Sequence, residues 1–253
     1  MTRTLPALAA ALTLTLAPPA LAAEFSFDSM SEADRAAFGD AVRAYLLENP
    51  EVIMEAVAVL ERREAAEQVA RDAALIAANH DAIFNDPGDY VGGNPDGDIA
   101  FVEFVDYKCG YCRKAFPELK ALIETDDNLR IIYKEFPILG ADSLLASRFA
   151  LSARATGGDE AYRAVHDAMM TMRGSTTEES LSALADGLGL DGAAILAGMT
   201  DPEIDKVIAA NHALATRLQI SGTPTFVIGE QLVRGYVPLE AISELIADLR
   251  ETE

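Results

Sequence analysis

The chain has 253 residues, with 41 Asp and Glu against 20 Lys and Arg and a formal net charge of −21. That balance opposes a nucleic-acid or anionic-membrane partner, because the overall field repels either one. The length suffices for one sizeable core with an appendage, and beyond the N-terminal segment no stretch is long and apolar enough to span a bilayer.

Met1 to Ala22 reads as a secretory signal peptide. Arg3 precedes an apolar run from Leu5 to Leu16, and Ala20-Leu21-Ala22 supplies a small-x-small cleavage pattern before Ala23. Pro18 and Pro19 interrupt the run and argue against the alternative, a retained anchor. Ser31 then reads as a helix N-cap answered by Asp34, and Phe38, Val42 and Tyr45 give that helix an apolar face. Asn49-Pro50 restarts the chain, with Asn49 as an N-cap and Pro50 in a first turn that does not need its N–H. From Glu51 to about Asn79 nothing breaks a helix of roughly 40 Å. A heptad through Val52, Val59, Ala66, Ala73 and His80 has Glu55, Arg62, Val69 and Ile76 as companions, two of them charged, so no robust coiled coil is specified. A subunit contact through this helix and simple packing against the core both remain open.

Residues 85–97 carry turn chemistry, in Asn85-Asp86-Pro87-Gly88-Asp89 and Gly92-Gly93-Asn94-Pro95-Asp96-Gly97, and read as a linker. Ile99 to Val105 is apolar on both faces apart from Glu103, as in a central strand. A helix from Cys112 to about Glu124 and a strand from Leu129 to Tyr133 follow. Helical spacing then recurs over Ser143–Ala155, Asp159–Met172, Thr177–Ala185 and Asp201–Leu218. Thr225–Ile228 and Gln231–Gly235 form a hairpin around Gly229-Glu230, and Pro238 opens a last helix. Strand, helix, strand, helical block, hairpin and helix together predict an α/β domain with a helical insertion at about 141–218.

The only cysteines are Cys109 and Cys112. A bridge between them closes almost no loop and removes little unfolded-state entropy, so chemistry explains the pair better than structure does. Cys109-Gly110-Tyr111-Cys112 follows a buried strand and opens a helix, whose N–H end favours a thiolate on Cys109. Lys108, Arg113 and Lys114 are expected to push the same way. A lowered pKa makes Cys109 both a ready nucleophile and a good leaving group, and Cys112, a turn deeper, resolves the mixed disulfide. Zinc is the competing reading, but His80, His166 and His212 are scattered. An inert structural bridge is the other.

Glu103 shares a strand face with Phe101 and Val105, where desolvation raises its pKa toward a range useful for proton exchange with Cys112. Pairing with Lys134 is the alternative. Pro224, in Ser221-Gly222-Thr223-Pro224-Thr225-Phe226, sits at a strand start; a cis Thr223–Pro224 bond near the dithiol and an ordinary trans edge proline both fit.

From Asp98 onward these residues resemble the thioredoxin superfamily, specifically its DsbA-like branch. The resemblance rests on Glu103-Phe104-Val105-Asp106-Tyr107 leading into Cys109-Gly110-Tyr111-Cys112, on Lys134-Glu135-Phe136-Pro137-Ile138-Leu139-Gly140, and on Gly222-Thr223-Pro224-Thr225-Phe226. It implies a thioredoxin-like fold over 98–253 with an inserted helical domain, behind an N-terminal helical extension at 23–84 that is similar to that of ScsC-like periplasmic proteins. It further implies Cys109 as nucleophile, Cys112 as resolving thiol, Glu103 as buried acid, a cis Pro224, and substrate contact by Tyr111, Thr223 and Pro224. The implied function is periplasmic disulfide exchange with cysteine-bearing protein substrates, needing no cofactor, in either the oxidase or the isomerase direction. The implied partner is a membrane redox protein, DsbB-like for oxidation or DsbD-like for isomerisation. Relatives with such extensions also form homo-oligomers. Gly110-Tyr111 departs from the Pro-His of the best-known oxidases, so no histidine supports the thiolate. A Cu(I)-binding or chaperone-type binding protein is the alternative function, since Cu(I) accepts soft thiolates; Met169, Met170 and Met172 read more simply as core.

Overall fold

The computed structural model describes residues 30–252, so the expected signal peptide lies outside the described residues. The chain divides into two compact units, one ending at Leu60 and the other beginning at Glu61.

In the first unit, α1 (Glu32–Glu48) starts at Ser31, whose hydroxyl accepts the Asp34 N–H at 3.2 Å. None of its residues is buried; Phe38, Val42, Tyr45 and Leu47 stand exposed. The long α2 (Glu51–Ala78) begins after Pro50. Asn49 serves the preceding helix: its backbone N–H and its side chain both bond to the Tyr45 carbonyl, closing the C-terminus of α1.

The second unit is built on a five-stranded sheet in the order β1-β3-β2-β4-β5. Its strands are β1 (Tyr90–Gly93), β2 (Ile99–Val105), β3 (Leu129–Glu135), β4 (Thr225–Ile228) and β5 (Gln231–Arg234). Parallel β2 and β3 form the centre, and β1 and β4 flank them antiparallel. The central strands are buried on both faces, which explains their nearly continuous apolar character. On one face Phe101, Val105, Ile131 and Tyr133 pack with α4 (Gly110–Thr125), α5 (Ala141–Thr171) and α9 (Leu239–Thr252). On the other, Val102, Phe104, Ile132 and Val227 pack with Ile76, with Ile83 and Phe84 of α3 (His80–Phe84), and with Leu214 and Leu218 at the end of α8 (Pro202–Arg217).

Helices α5, α6 (Glu178–Gly187), α7 (Gly192–Gly198) and α8 occupy the chain between β3 and β4. The two helices expected at 143–155 and 159–172 run together as α5, broken at Gly158, whose φ of 75° only glycine adopts readily. Strand β1 lies inside the stretch read as a linker. Its glycines hide the pattern, since Gly92 and Gly93 carry no side chains to alternate, yet they pair with Ile131 and Arg130. The five-residue α3 and seven-residue α7 are too short to show a helical period.

Polar ties fasten the end of α2 and the following turns to the sheet. Arg234 forms a two-pronged ion pair with Asp72, at 2.8 and 2.9 Å. The buried ammonium of Lys134 meets the buried Asp89 carboxylate and the Ala82 carbonyl. Removing one partner of such a pair strands a buried charge. Asp89→Ala is therefore expected to lower the unfolding free energy by about 3–5 kcal/mol, seen as a reduced urea midpoint at unchanged m-value; an unmoved midpoint would show that the pair does not hold this face together.

Candidate active site at the β2–α4 junction

Where β2 ends, Asp106 fixes the turn into α4. One carboxylate oxygen accepts the Lys108 N–H at 2.8 Å, an Asx turn, and the other accepts the N–H groups of Ile138 and Leu139 at 2.8 and 3.1 Å. The buried aspartate thus ties the turn to the loop after β3. Cys109 follows as the N-cap of α4 in extended conformation (φ −72°, ψ 117°), with the first N–H groups of the helix free to face its sulfur.

The Thr223–Pro224 bond is cis, and the Thr223 carbonyl accepts from Cys109 Sγ at 3.1 Å. Both cysteines are free thiols, with Cys109 at the surface edge of the core and Cys112 fully enclosed, 7% and 0% exposed. The Cys112 thiol acts on the Cys109 sulfur most strongly, and Thr223 and the N–H groups of Cys112 and Tyr111 add to it. Against partial burial, they hold Cys109 down to about 5. The same sulfur–sulfur contact, with burial and the charge of Glu103, pushes Cys112 far up. The two thiols are therefore split into one that ionises readily and one that keeps its proton. The flanking cations are engaged elsewhere. Lys108 reaches Thr176 and Asp142, Arg113 donates to the carbonyls of Met170 and Met172, and Lys114 lies 3.9 Å over the Tyr236 ring.

Glu103 is buried on the sheet face that carries Cys112, in register with Tyr133 and Phe226. Burial first, then the charges of Cys109 and Glu135, raise it to about 8, and its Oε1 has no hydrogen-bond partner among the described residues. The alternative pairing with Lys134 is not made. Lys134 is in register with Phe104, so its side chain leaves the opposite face of the sheet toward Asp89.

The six expected site residues therefore come together: Cys109, Cys112, Glu103, Thr223 and Pro224 around the dithiol, with Tyr111 exposed beside it. Tyr111 stacks on Tyr236 at 6.2 Å, and Tyr236 is held through its hydroxyl by Glu118 at 2.7 Å. Residue patterning missed the roles of Asp106 and Tyr236. The first had a usable signal, an aspartate two residues before the N–H it binds; the second had none, since its contact with Tyr111 spans the length of the domain. Among the described residues, no group of three or more His, Cys, Asp or Glu is gathered to hold a metal ion, and no helix is long and apolar enough to cross a membrane.

A dithiol of this kind at the start of a helix in a thioredoxin-like α/β fold supports disulfide-oxidoreductase chemistry. The chain belongs to the family described as the DSBA-like thioredoxin domain, which matches residues 100–247. Residues 34–67 match the copper resistance protein ScsC N-terminal domain. A thioredoxin-like oxidoreductase from Silicibacter pomeroyi is 42% identical, covering 68% of this chain and 98% of its own, with a TM-score of 0.64. Proteus mirabilis ScsC in a transitional conformation is 28% identical over 88% of this chain and 98% of its own, with a TM-score of 0.63. Among curated proteins, the Na(+)/H(+) antiporter NhaA 1 of Salinispora arenicola is 27% identical over 158 residues, 62% of this chain; the chain spans only 24% of that protein's length.

The split between the thiols has a measurable sign. Cys109 ionises more easily when folded than a free thiol. Its thiolate thus stabilises the dithiol protein fully above the ordinary thiol pKa, and that stabilisation is lost as pH falls through about 5. Because the Cys112 thiol is the largest contributor, Cys112→Ala is expected to move the midpoint of the alkylation rate–pH curve upward, toward the free-cysteine value of about 8.5. An unmoved midpoint would assign the lowering to Thr223 and the helix end.

Proposed function

We propose that this protein exchanges disulfides with cysteine-bearing protein substrates, with Cys109 as nucleophile and Cys112 as resolving thiol. The observation that carries this reading is the single sulfur at the N-cap of α4, held low by its neighbour and by N–H groups while facing the Thr223 carbonyl.

In the reducing direction the Cys109 thiolate attacks a substrate disulfide, forming a mixed disulfide and expelling one substrate thiolate. Cys112 then gives its proton to the ionised form of Glu103, and its sulfur attacks Cys109 Sγ. The second substrate thiolate leaves, the Cys109–Cys112 disulfide forms, and two electrons have passed to the substrate. In the oxidising direction a substrate thiolate attacks Cys109 in that disulfide, and protonated Glu103 returns the proton to the departing Cys112 sulfur. A second substrate thiolate then attacks the mixed disulfide, forming the substrate bridge and releasing the Cys109 thiolate. In isomerisation a different substrate thiolate attacks the mixed disulfide, forming a new substrate bridge and releasing the Cys109 thiolate with no net change of oxidation state. The exposed ring of Tyr111 and the backbone of Thr223 beside Pro224 supply the contact for an extended substrate segment.

The surrounding reading is a periplasmic one, supported by similarity to the ScsC proteins, with a membrane redox partner of the DsbB-like or DsbD-like kind setting the direction. The N-terminal helices serve self-association in this account. Phe38, Val42, Tyr45, Leu47, Met54 and Leu60 are exposed, and the ScsC N-terminal domain description covers this segment.

Cys109→Ala is expected to abolish insulin reduction, whereas Cys112→Ala accumulates a mixed disulfide visible on a non-reducing gel. Turnover surviving Cys109→Ala would refute the assignment. Solution mass should fall to that of one chain in Val42→Glu/Leu60→Glu; a native protein already of that mass would remove self-association.

A further inference from the structure

Glu103 is not alone on its side of the sheet. Parallel pairing sets Glu103 opposite Tyr133 and Val105 opposite Glu135, so the Glu135 side chain leaves the same face two residues further along the neighbouring strand. Both carboxylates are buried, and each keeps one oxygen without a hydrogen-bond partner among the described residues, Glu103 Oε1 and Glu135 Oε2. Their environments otherwise differ. Glu135 Oε1 accepts two buried hydroxyls, from Tyr107 at 2.7 Å and Tyr162 at 2.6 Å, whereas no hydrogen bond reaches Glu103 Oε1.

The groups facing the pair supply no cation. From the β2–α4 turn come Asp106, Tyr107 and Cys109, and from α4 comes Cys112; β3 itself offers Tyr133. From α5 come Ser147, Tyr162 and His166. From α8, Asn211 bonds only the Glu135 backbone carbonyl, at 3.2 Å. His166 is enclosed, held down to about 3 by burial, and hence neutral. Since the Tyr107 proton points at Glu135, His166 must donate from Nδ1 to the Tyr107 oxygen at 3.0 Å, which leaves its buried Nε2 unpartnered as observed.

We propose that Glu135, clasped by the hydroxyls of Tyr107 and Tyr162, is a positioning residue for the dithiol's proton: its charge, seated on the same sheet face, fixes that proton on Glu103. The inference rests on the relay role of Glu103 given above. Two like charges in one dry layer cannot both be carried cheaply, so the carboxylate with hydroxyl donors takes the charge and the other keeps the proton. The directions agree. Burial lifts Glu135 to about 7 while Ser147, Tyr162 and Tyr107 pull it back, and Glu103 is lifted further, to about 8, with Glu135 among the causes. Glu135 never touches the reacting sulfurs. It sets the pH at which the acid beside Cys112 gives its proton up.

The test is the pH dependence of mixed-disulfide resolution, measured by stopped flow on the full chain carrying glutathione on Cys109. The wild type should show a limb somewhat below 8, because the value of about 8 for Glu103 includes the Cys109 charge that the mixed disulfide removes; Glu103→Gln should remove this limb. Glu135→Gln should keep the limb but move it down by about one pH unit. Tyr162→Phe, which leaves Glu135 in place but takes away a donor, should move it the same way by less. Infrared carbonyl absorption of the protonated acid should titrate in step with the limb in each variant. If Glu103→Gln leaves the limb, the relay reading fails. If Glu103→Gln removes it while Glu135→Gln or Tyr162→Phe lowers stability without moving it, Glu135 is structural and the proposal alone is overturned. Should Glu135→Gln not fold, the Tyr162→Phe shift decides.

Discussion

A negative charge on one sulfur atom, in a protein whose overall charge is strongly negative, is the constraint around which the catalytic unit is arranged. Among the described residues the flanking cations Lys108, Arg113 and Lys114 are all engaged elsewhere. Neutral donors do the work: the Cys112 thiol, the Thr223 side chain and the first N–H groups of α4. Each must be aimed, and most of the site's other polar contacts serve that aim. Asp106 pins the turn that places Cys109 at the N-cap, and the loop that opens β4, the strand next to β2, brings Thr223 beside it. Burying Cys112 completes the division of labour, because a proton on the enclosed sulfur can be donated to the one at the surface edge of the core.

This arrangement explains why the dithiol sits where a parallel central strand hands over to a helix. The junction supplies unsatisfied N–H groups above and a dry layer below. In that layer the sheet face holds Glu103 and Glu135, while Lys134 and its partner Asp89 occupy the opposite face. A one-residue shift of β3 would exchange those faces and put an ammonium under the dithiol. The polar partners oppose it, since the shift would take Lys134 from Asp89 on one face and Glu135 from Tyr107 and Tyr162 on the other.

Much of this was legible in the residues, and the exceptions have physical causes. Long periodic segments declare themselves, so β2, the last hairpin and the helices α1, α2 and α8 fall close to where patterning puts them. The cysteine pair and Glu103 stand out as chemical anomalies in otherwise apolar surroundings. Strand β1 was hidden because half of it is glycine, and α3 and α7 because a helix of one or two turns shows no period. The fate of Lys108, Arg113 and Lys114 was invisible for a different reason. Sequence gives their proximity to Cys109, but their partners Asp142, Met170, Met172 and Tyr236 arrive from distant parts of the chain. Glu135 beside Tyr107 and Tyr162 is the same case, a cluster that only the packing of α5 onto the sheet creates.

The account turns on Cys109 being ionised in the reduced protein at neutral pH, and the redox equilibrium with glutathione reports this directly. With one thiol already ionised, forming the dithiol from the disulfide takes up a single proton, so the reduction potential between pH 6 and 7 should fall by about 30 mV per pH unit. A slope of about 59 mV per unit, the mark of two protons taken up with two electrons, would mean that both sulfurs are protonated and would contradict it.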